Sequence, residues 1–479
     1  MSCTECGKKW QTWRKYTVIL GGIFIYLPIG VPWYFGNLAT YINSFYHSRA
    51  PYDMDLVDPQ WIFSAFFITF SLAITASGYL SNMYGPRLTV LAALLIHSSA
   101  TFLSYYAIQH SMIALITVFG AIGGLGAGLA YGPPLPVVIR WMPHRVGLAS
   151  GALMTGFGGG AVFYNELITF FINPDNVKAD LQGIRTKYFS QPEIIKRIPE
   201  VFLVLGALTV ILQLIGVLLL RLPAEGDEIE TVEMQEERPI IEARRPTKSL
   251  SNDAQTKPDA DDPAVLDVNN SRKSDAVSLK DVQIVEDTGD KTPWEVLKTL
   301  NFYILWFVLA FNHYGYIIKN NYYKEFGQLR IDNDHFLTTA GTIATIGVSV
   351  ARLFWGIATD WVGTKVTLLL FTGSTTIVSA FYYFSLYSPG LYMTAVIILS
   401  AAFTGAFILI PLAALRCFGE KHYAINYGLI LSSQIVLNLI SPPIISQILL
   451  YFGWFWLFYS IAIVNAIGTV ILLFLRGLR

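Results

Sequence analysis

The sequence is poor in cysteine and in charged residues for a chain of 479 residues. Its three cysteines cannot form a disulfide framework, and the CxxC pair of Cys3 and Cys6 has no second pair to complete a zinc site. Charged residues make up 14% of the chain and apolar residues 53%. This balance excludes an ordinary soluble protein and indicates a chain that lies in lipid.

Recognisable catalytic motifs are absent as well. The sequence shows no Ser-His-Asp arrangement, no cluster of metal ligands and no phosphate-binding loop at a workable spacing. The glycine-rich run at 120–128 has no strand before it and lies in an apolar segment, which favours close helix packing over a dinucleotide site. We therefore predict that the protein is not an enzyme and that it uses no cofactor and no metal.

Long apolar runs are the main feature of the chain. Twelve of them are long enough to cross a membrane, and each must be helical because lipid cannot satisfy free backbone groups. They are 17–42, 61–82, 88–108, 112–140, 146–172, 199–221, 297–320, 336–361, 364–387, 391–416, 423–448 and 452–476. The sequence thus predicts an all-α integral membrane protein with twelve transmembrane helices.

Residues 222–293 differ from the rest of the chain. They hold 18 of the 33 acidic residues, show no apolar period and are poor in aromatic residues. Such a segment cannot bury a core, so we predict that it is disordered. The predicted organisation is a cytoplasmic N-terminus (1–16), an N-terminal six-helix half (17–221), a disordered cytoplasmic central loop (222–296), a C-terminal six-helix half (297–476) and a cytoplasmic C-terminus (477–479).

Basic residues in the short loops predict the orientation. They collect on the side of both termini, whereas the short loops of the other side have few, chiefly Arg49, Lys324 and Arg330. The positive-inside rule then places both termini in the cytoplasm. No strong organelle signal is visible, so the plasma membrane is the default prediction and an organelle stays open.

Two loop patterns recur at nearly the same spacing. The stretch from Gly78 to Arg87 closes the second span, and the stretch from Gly356 to Lys365 closes the eighth, 278 residues later. Arg140, between spans four and five, and Arg416, between spans ten and eleven, are 276 residues apart. This agreement predicts that the twelve spans form two pseudo-symmetric six-helix halves.

A permanent cation, Arg352, lies inside the apolar run 336–361. It precedes Asp360 by eight residues, and Asp360 should lie near the membrane surface, so Arg352 is roughly 12 Å deep. A cation at that depth costs roughly 2.5–3.5 kcal/mol and normally faces a cavity or a partner. We predict that Arg352 binds an anion; a structural cation held by a carboxylate or by carbonyl groups is the alternative.

Several motifs resemble a known family. The pattern G-x-x-x-D-x-x-G-x-[KR] after the second span of each half is similar to the major facilitator superfamily; the copy ending at Lys365 fits fully, and the first copy has Asn82 in place of Asp. The segment 126–143 and the Asn-Tyr-Gly that starts at Asn426 resemble the oxalate/formate antiporter and monocarboxylate porter branch.

The resemblance implies a secondary transporter that works by alternating access. In that branch an arginine of span eight binds the substrate carboxylate, and Arg352 occupies the matching place. The resemblance also implies that the paired loops act as gates. Their residues are Gly78, Gly85, Arg87, Gly356, Asp360, Gly363 and Lys365.

Three further residues are candidates for contacting the substrate. Oxalate-type members of the branch carry a lysine eight residues after the Asn of Asn-Tyr-Gly, where this chain has Gln434. One cation and an amide suit a monoanion, whereas two cations suit a dianion such as oxalate. Tyr131 can donate to a carboxylate, with packing as the alternative, and His313 can carry a proton, with a core histidine as the alternative.

We therefore predict a transporter of small monocarboxylates of the formate, lactate or pyruvate type. Its expected partners are the carboxylate, protons or a counter-anion, and the lipid bilayer, with no nucleic acid and with a monomer as the functional unit. Oxalate/formate exchange and a non-transporting membrane receptor or sensor are the alternatives, and symport, exchange and facilitated diffusion all stay open.

Overall fold

The computed structural model describes residues 3–49, 58–142, 146–183, 187–222, 290–419 and 422–476. Nearly all of these residues are helical. Ten of the described helices are long and apolar enough to cross a membrane. The predicted central loop lies almost entirely outside the described residues, and its last part contains a short helix, Pro293–Leu297.

Two more long helices, Val146–Ile172 and Leu300–Gly327, complete the twelve predicted spans within the described residues, whereas the pseudo-symmetry of the two halves stays a prediction. Spans 1 to 6 are Cys3–Ile29 with Val31–Arg49, Gln60–Tyr84, Pro86–His110, Met112–Leu115 continued to Trp141, Val146–Ile172 and Pro192–Leu219. Spans 7 to 12 are Leu300–Gly327, Asp334–Val362, Thr364–Tyr382 with Tyr383–Tyr387, Pro389–Phe403 with Ala406–Phe418, Tyr423–Tyr451 and Gly453–Leu473. Span 4 consists of Met112–Leu115, the π-helical Ile116–Ile122, Gly123–Tyr131 and Pro134–Trp141.

The helix ends define two faces of the molecule. We call the face reached by the start of span 1 and the end of span 12 the terminal face, and the opposite one the distal face. On the distal face, Leu181–Gln182 pairs with Lys187–Tyr188 in a short antiparallel hairpin between spans 5 and 6. Spans 1, 2 and 5 pack against spans 7, 11 and 8 respectively, so these six helices form the contact between the first six spans and the last six.

Close packing explains several glycines of span 4, as the sequence indicates. A methyl group at Gly124 would overlap the carbonyl oxygen of Phe66, and one at Gly128 would overlap that of Phe70. The backbones of spans 2 and 4 therefore approach each other directly. Gly158 of span 5 is different, because a methyl group there would meet nothing within 4 Å.

The two recurring loops have the same local geometry. Gly85 joins spans 2 and 3 with φ +85°, and Gly363 joins spans 8 and 9 with φ +82°, a conformation that favours glycine. Arg87 donates from Nε to the carbonyl oxygen of Leu220 at the end of span 6. Lys365 donates from Nζ to the carbonyl oxygen of Leu475 at 2.7 Å, after span 12.

Each basic loop residue thus binds the last helix of its own set of six spans. We predict that these loops brace the outward-facing state on the cytoplasmic side; in the described state, the bonds of Arg87 and Lys365 stay within one set. Gly78 and Gly356 have open space where a side chain would lie. The Asp360 side chain falls outside what the structure describes, so its gating role stays a prediction.

Candidate functional site

Arg352 lies half-buried in span 8, at the contact between the two sets of spans. Its Nε donates to Oγ1 of Thr404 at 3.2 Å. Thr404 occupies the break in span 10 between Phe403 and Ala406, where the helix is interrupted. The guanidinium carbon lies 5.5 Å from the centroid of the Trp33 ring of span 1, within the range of a cation–π interaction. One hydroxyl and one ring thus hold the guanidinium group, and no ion pair of Arg352 occurs among the described residues.

Tyrosine side chains from both sets of spans surround this cation. Tyr131 of span 4 and Tyr316 of span 7 both lie within electrostatic range of Arg352. Tyr131 stacks on Tyr26 with ring centroids 5.0 Å apart, and its hydroxyl faces the Met154 sulfur at 3.6 Å. Tyr131 is therefore packed against its neighbours and also lies within electrostatic range of Arg352, while its contact with a substrate stays a prediction.

Aromatic rings form the rest of the wall. The Trp33 ring meets Tyr316 edge to face at 5.6 Å and Phe157 at 6.4 Å. Phe157 in turn lies 5.3 Å from Tyr131 and 6.0 Å from Phe70. The result is an aromatic wall beside one half-buried guanidinium group, and a charge in such surroundings attracts a small anion more strongly than a charge in bulk water.

His313 and Gln434 lie on a neighbouring part of the same wall. The His313 ring stacks on Tyr316 at 5.7 Å, and its Nε2 is 2.8 Å from Nδ2 of Asn438. The same Asn438 amide nitrogen donates to the carbonyl oxygen of Gln434. An amide nitrogen can only donate, so Nε2 accepts, which is the arrangement of a neutral imidazole.

The four predicted substrate-contacting residues are linked through intermediate side chains but do not all touch, and their common role stays a prediction. Arg352 and Tyr131 are electrostatic neighbours, whereas His313 reaches them through Tyr316. In the described part of the chain, no hydrogen bond joins Gln434 to Arg352.

A buried polar network closes the distal face, and sequence reasoning missed it. Lys324 is fully enclosed; its Nζ lies 2.8 Å from Oδ1 of Asp334 and 2.6 Å from Oδ1 of Asn37. Tyr41 donates to the same aspartate, and Thr338 is 3.0 Å from the ammonium group. The prediction that Lys324 lies in a short loop is therefore wrong: span 7 continues to Gly327, because the polar groups of span 1 and span 8 satisfy the lysine inside the protein.

More hydrogen bonds join the two sets of spans around this network. Thr169 and Thr338 hydroxyls are 2.8 Å apart, Thr342 donates to Glu166 at 2.9 Å, and Tyr322 donates to Asp58 at 2.9 Å. On the surface, Lys187 of the hairpin pairs with Asp332 at 2.9 Å. Among the described residues, hydrogen bonds join the two sets of spans only at the level of Pro32 or nearer the distal face. The described structure is therefore closed on the distal side of Arg352.

Lys319 is a second cation that sequence reasoning missed. It lies within the predicted span 297–320, one turn from Tyr316, and is nine-tenths buried. The sequence does indicate it, because a lysine inside an apolar run is as costly in lipid as Arg352 and normally faces a cavity or a partner.

A family comparison agrees with this geometry. The family model described as Major Facilitator Superfamily matches residues 16–318 and 296–479. The chain belongs to the Major Facilitator Superfamily. Members of this superfamily are transporters, so the predicted superfamily and the predicted transmembrane transport class are confirmed. The resemblance to the predicted branch is confirmed by the relatives described next.

Two relatives of known name are similar over most of the chain, and a third is similar over a short part of it. One is the apicoplast pyruvate carrier 1 of Toxoplasma gondii, 24% identical over 92% of this chain and 85% of the carrier. Another is the oxalate:formate antiporter of Oxalobacter formigenes, 22% identical over 83% of this chain and 77% of the antiporter. A shorter match, 34% identical over 19% of this chain and 18% of the relative, is to monocarboxylate transporter 14 of Mus musculus.

Solved structures share the fold. A D-xylose-proton symporter matches with a TM-score of 0.64 at 12% identity, over 97% of this chain and 98% of that one. The inward open conformation of the xylose transporter XylE from E. coli matches with a TM-score of 0.62 at 11% identity, over 98% and 97%. These likenesses establish the twelve-helix fold alone.

Proposed function

We propose that the protein is a secondary active transporter of small monocarboxylate anions, with Arg352 neutralising the carboxylate. The observation that carries the proposal is the half-buried guanidinium group beside an aromatic wall, held by one threonine hydroxyl and without an ion-pair partner among the described residues. A cation in this setting attracts an anion, and the similarity to a pyruvate carrier over 92% of the chain supports a carboxylate.

Neighbouring side chains would orient the substrate. Tyr131 and Tyr316 lie within electrostatic range of Arg352, and their hydroxyl groups would donate to the carboxylate oxygens. Gln434 would contribute its amide, and the neutral His313 would hold Tyr316 in place by stacking. The planar guanidinium fork can bind both carboxylate oxygens at once, which a lysine cannot do.

Alternating access would follow from the polar network on the distal face. In the described state that network closes the distal side, and the substrate would leave towards the terminal face, which the distribution of basic residues predicts to be cytoplasmic. Breaking the network would open the other side. The loops with Gly78, Gly85 and Arg87, and with Gly356, Asp360, Gly363 and Lys365, would then meet to close the terminal side. We propose a monomeric unit in the plasma membrane, with an organelle membrane as the alternative.

Oxalate/formate exchange is the second candidate. The similarity to an oxalate:formate antiporter over 83% of the chain and the additional buried cation Lys319 favour it. Protons or a counter-anion would supply the driving force.

The test is uptake of labelled pyruvate, lactate, formate and oxalate into liposomes that contain the purified full chain, with and without an inward proton gradient. We expect saturable uptake that falls at least tenfold in Arg352→Lys and to background in Arg352→Gln. Lys298 is an exposed cation before span 7, so Lys298→Gln is the matched control and should leave uptake unchanged. Normal uptake by Arg352→Gln, or no uptake of any of the four by folded wild type, would contradict the proposal.

A further inference from the structure

Lys319 is the buried cation that the site described so far leaves unused. It is 9% exposed, and the ring of Tyr323 lies 5.9 Å from its Nζ. No ion pair and no hydrogen bond of this ammonium group occurs among the described residues. Lys324, five residues later, shows the contrast, because Asp334, Asn37 and Thr338 satisfy it completely.

An ammonium group without a partner is expensive in a protein interior. The loss of hydration exceeds what a single aromatic ring returns at that distance, and buried charges are therefore paired in almost every structure. A structural lysine would have acquired a carboxylate or carbonyl partner, as Lys324 has. The protonated form of Lys319 has no such partner among the described residues, so an anion that enters beside it would supply the missing counter-charge.

The position of Lys319 connects it with the Arg352 site. It follows Tyr316 by three residues on span 7, so it lies about 4.5 Å further towards the distal face. The Tyr323 ring beside it packs against span 1 at Gly36 and against span 8 at Gly341. Lys319 therefore lies where spans 1, 7 and 8 meet, between the Arg352 site and the distal network.

We propose that Lys319 is a second anion-binding residue of the substrate path, which binds a carboxylate group in addition to the one that Arg352 neutralises. The inference rests on the proposed function. The sequence alone assigns one cation, Arg352, and one amide, Gln434, to the substrate path. Lys319 adds a second cation to that path. With Lys319 the path carries two cations that lack acidic partners among the described residues, so it can hold the second carboxylate group of a dianion such as oxalate, the substrate of the second candidate function, as well as a monocarboxylate.

The experiment is calorimetric titration of formate, pyruvate and oxalate into the purified full chain. Wild type is compared with Lys319→Gln, with Arg352→Gln and with the exposed control Lys298→Gln. We expect Lys319→Gln to weaken oxalate binding at least tenfold and formate binding less than threefold, and Lys298→Gln to change neither. Lys319→Met, which keeps the aliphatic stem, should reproduce the oxalate loss and replaces the glutamine variant if that variant does not fold.

The outcomes separate this inference from the proposed function. Loss of all binding in Arg352→Gln with unchanged oxalate affinity in Lys319→Gln would overturn the role of Lys319 and leave the transporter proposal standing. An equal loss for formate and oxalate in the Lys319 variants would also overturn it. If wild type binds none of the three anions, both the proposed function and the role of Lys319 are wrong.

Discussion

At the scale of single residues, the enclosed ammonium group of Lys324 has the largest expected effect on the stability of the fold. It bonds Asp334 of span 8 and Asn37 of span 1 without access to solvent. Replacing one member of such a pair leaves the other charge buried and unpaired, at a cost of about 3–5 kcal/mol. We therefore expect Lys324→Met to lower the unfolding temperature in detergent well beyond the effect of Lys187→Met, which removes an exposed pair worth about 0–1 kcal/mol.

A double variant provides the control for that prediction. Lys324→Met with Asp334→Leu removes both charges, so most of the lost thermal stability should return. An unfolding temperature of the double variant below that of the single one would show that the pair is not the source of the loss.

The sequence singles out a residue where one charge stands out against an apolar run. Arg352 is recognisable for that reason, and it lies within electrostatic range of Tyr131, while its role in binding substrate stays a prediction. The sequence predicts Lys324 in a loop, because a charged residue at the end of an apolar run normally lies in water. The polar partners that keep it inside the protein are far away in the chain. Its partner Asn37 is 287 residues away, a separation that hydropathy does not reveal.

At the scale of helices, Gly36 controls how closely span 1 approaches span 7. A methyl group there would overlap the carbonyl oxygen of Asn320, so Gly36→Ala should push the two helices apart and open the distal side. The measurement is the distance between spin labels at the exposed positions Lys178 and Arg330, which should increase. Gly158→Ala is the control, since its methyl group meets nothing within 4 Å. An unchanged distance in Gly36→Ala would contradict this account of closure.

The sequence predicts which segments are helical better than it predicts where each helix begins and ends. All twelve apolar runs became helices, but span 1 runs from Cys3 to Arg49 with a break at Gly30, beyond the predicted 17–42. Span 7 extends to Gly327 instead of ending near Asn320, whose amide donates to the Pro32 carbonyl oxygen. Polar residues that bond across the interface resemble loop residues when only the sequence is read.

At the scale of the whole molecule, the distal network implies that transport requires the two sets of spans to separate there. The Thr169 and Thr338 hydroxyl oxygens lie 2.8 Å apart across the interface. Cysteines at both positions should form a disulfide that stops transport, and reduction should restore it, whereas the uptake of either single-cysteine variant should not depend on oxidant or reductant. Full uptake with the disulfide formed would exclude alternating access through this face.

The measurement that tests the central claim most directly is equilibrium binding of pyruvate to the purified wild-type protein and to Arg352→Gln. Removing the cation from an enclosed carboxylate site should cost about 3 kcal/mol, which is more than a hundredfold in affinity. The account predicts saturable binding by wild type and a loss of that size in the variant. Equal affinity of the two folded proteins for pyruvate would contradict the assignment of Arg352 as the carboxylate-binding residue.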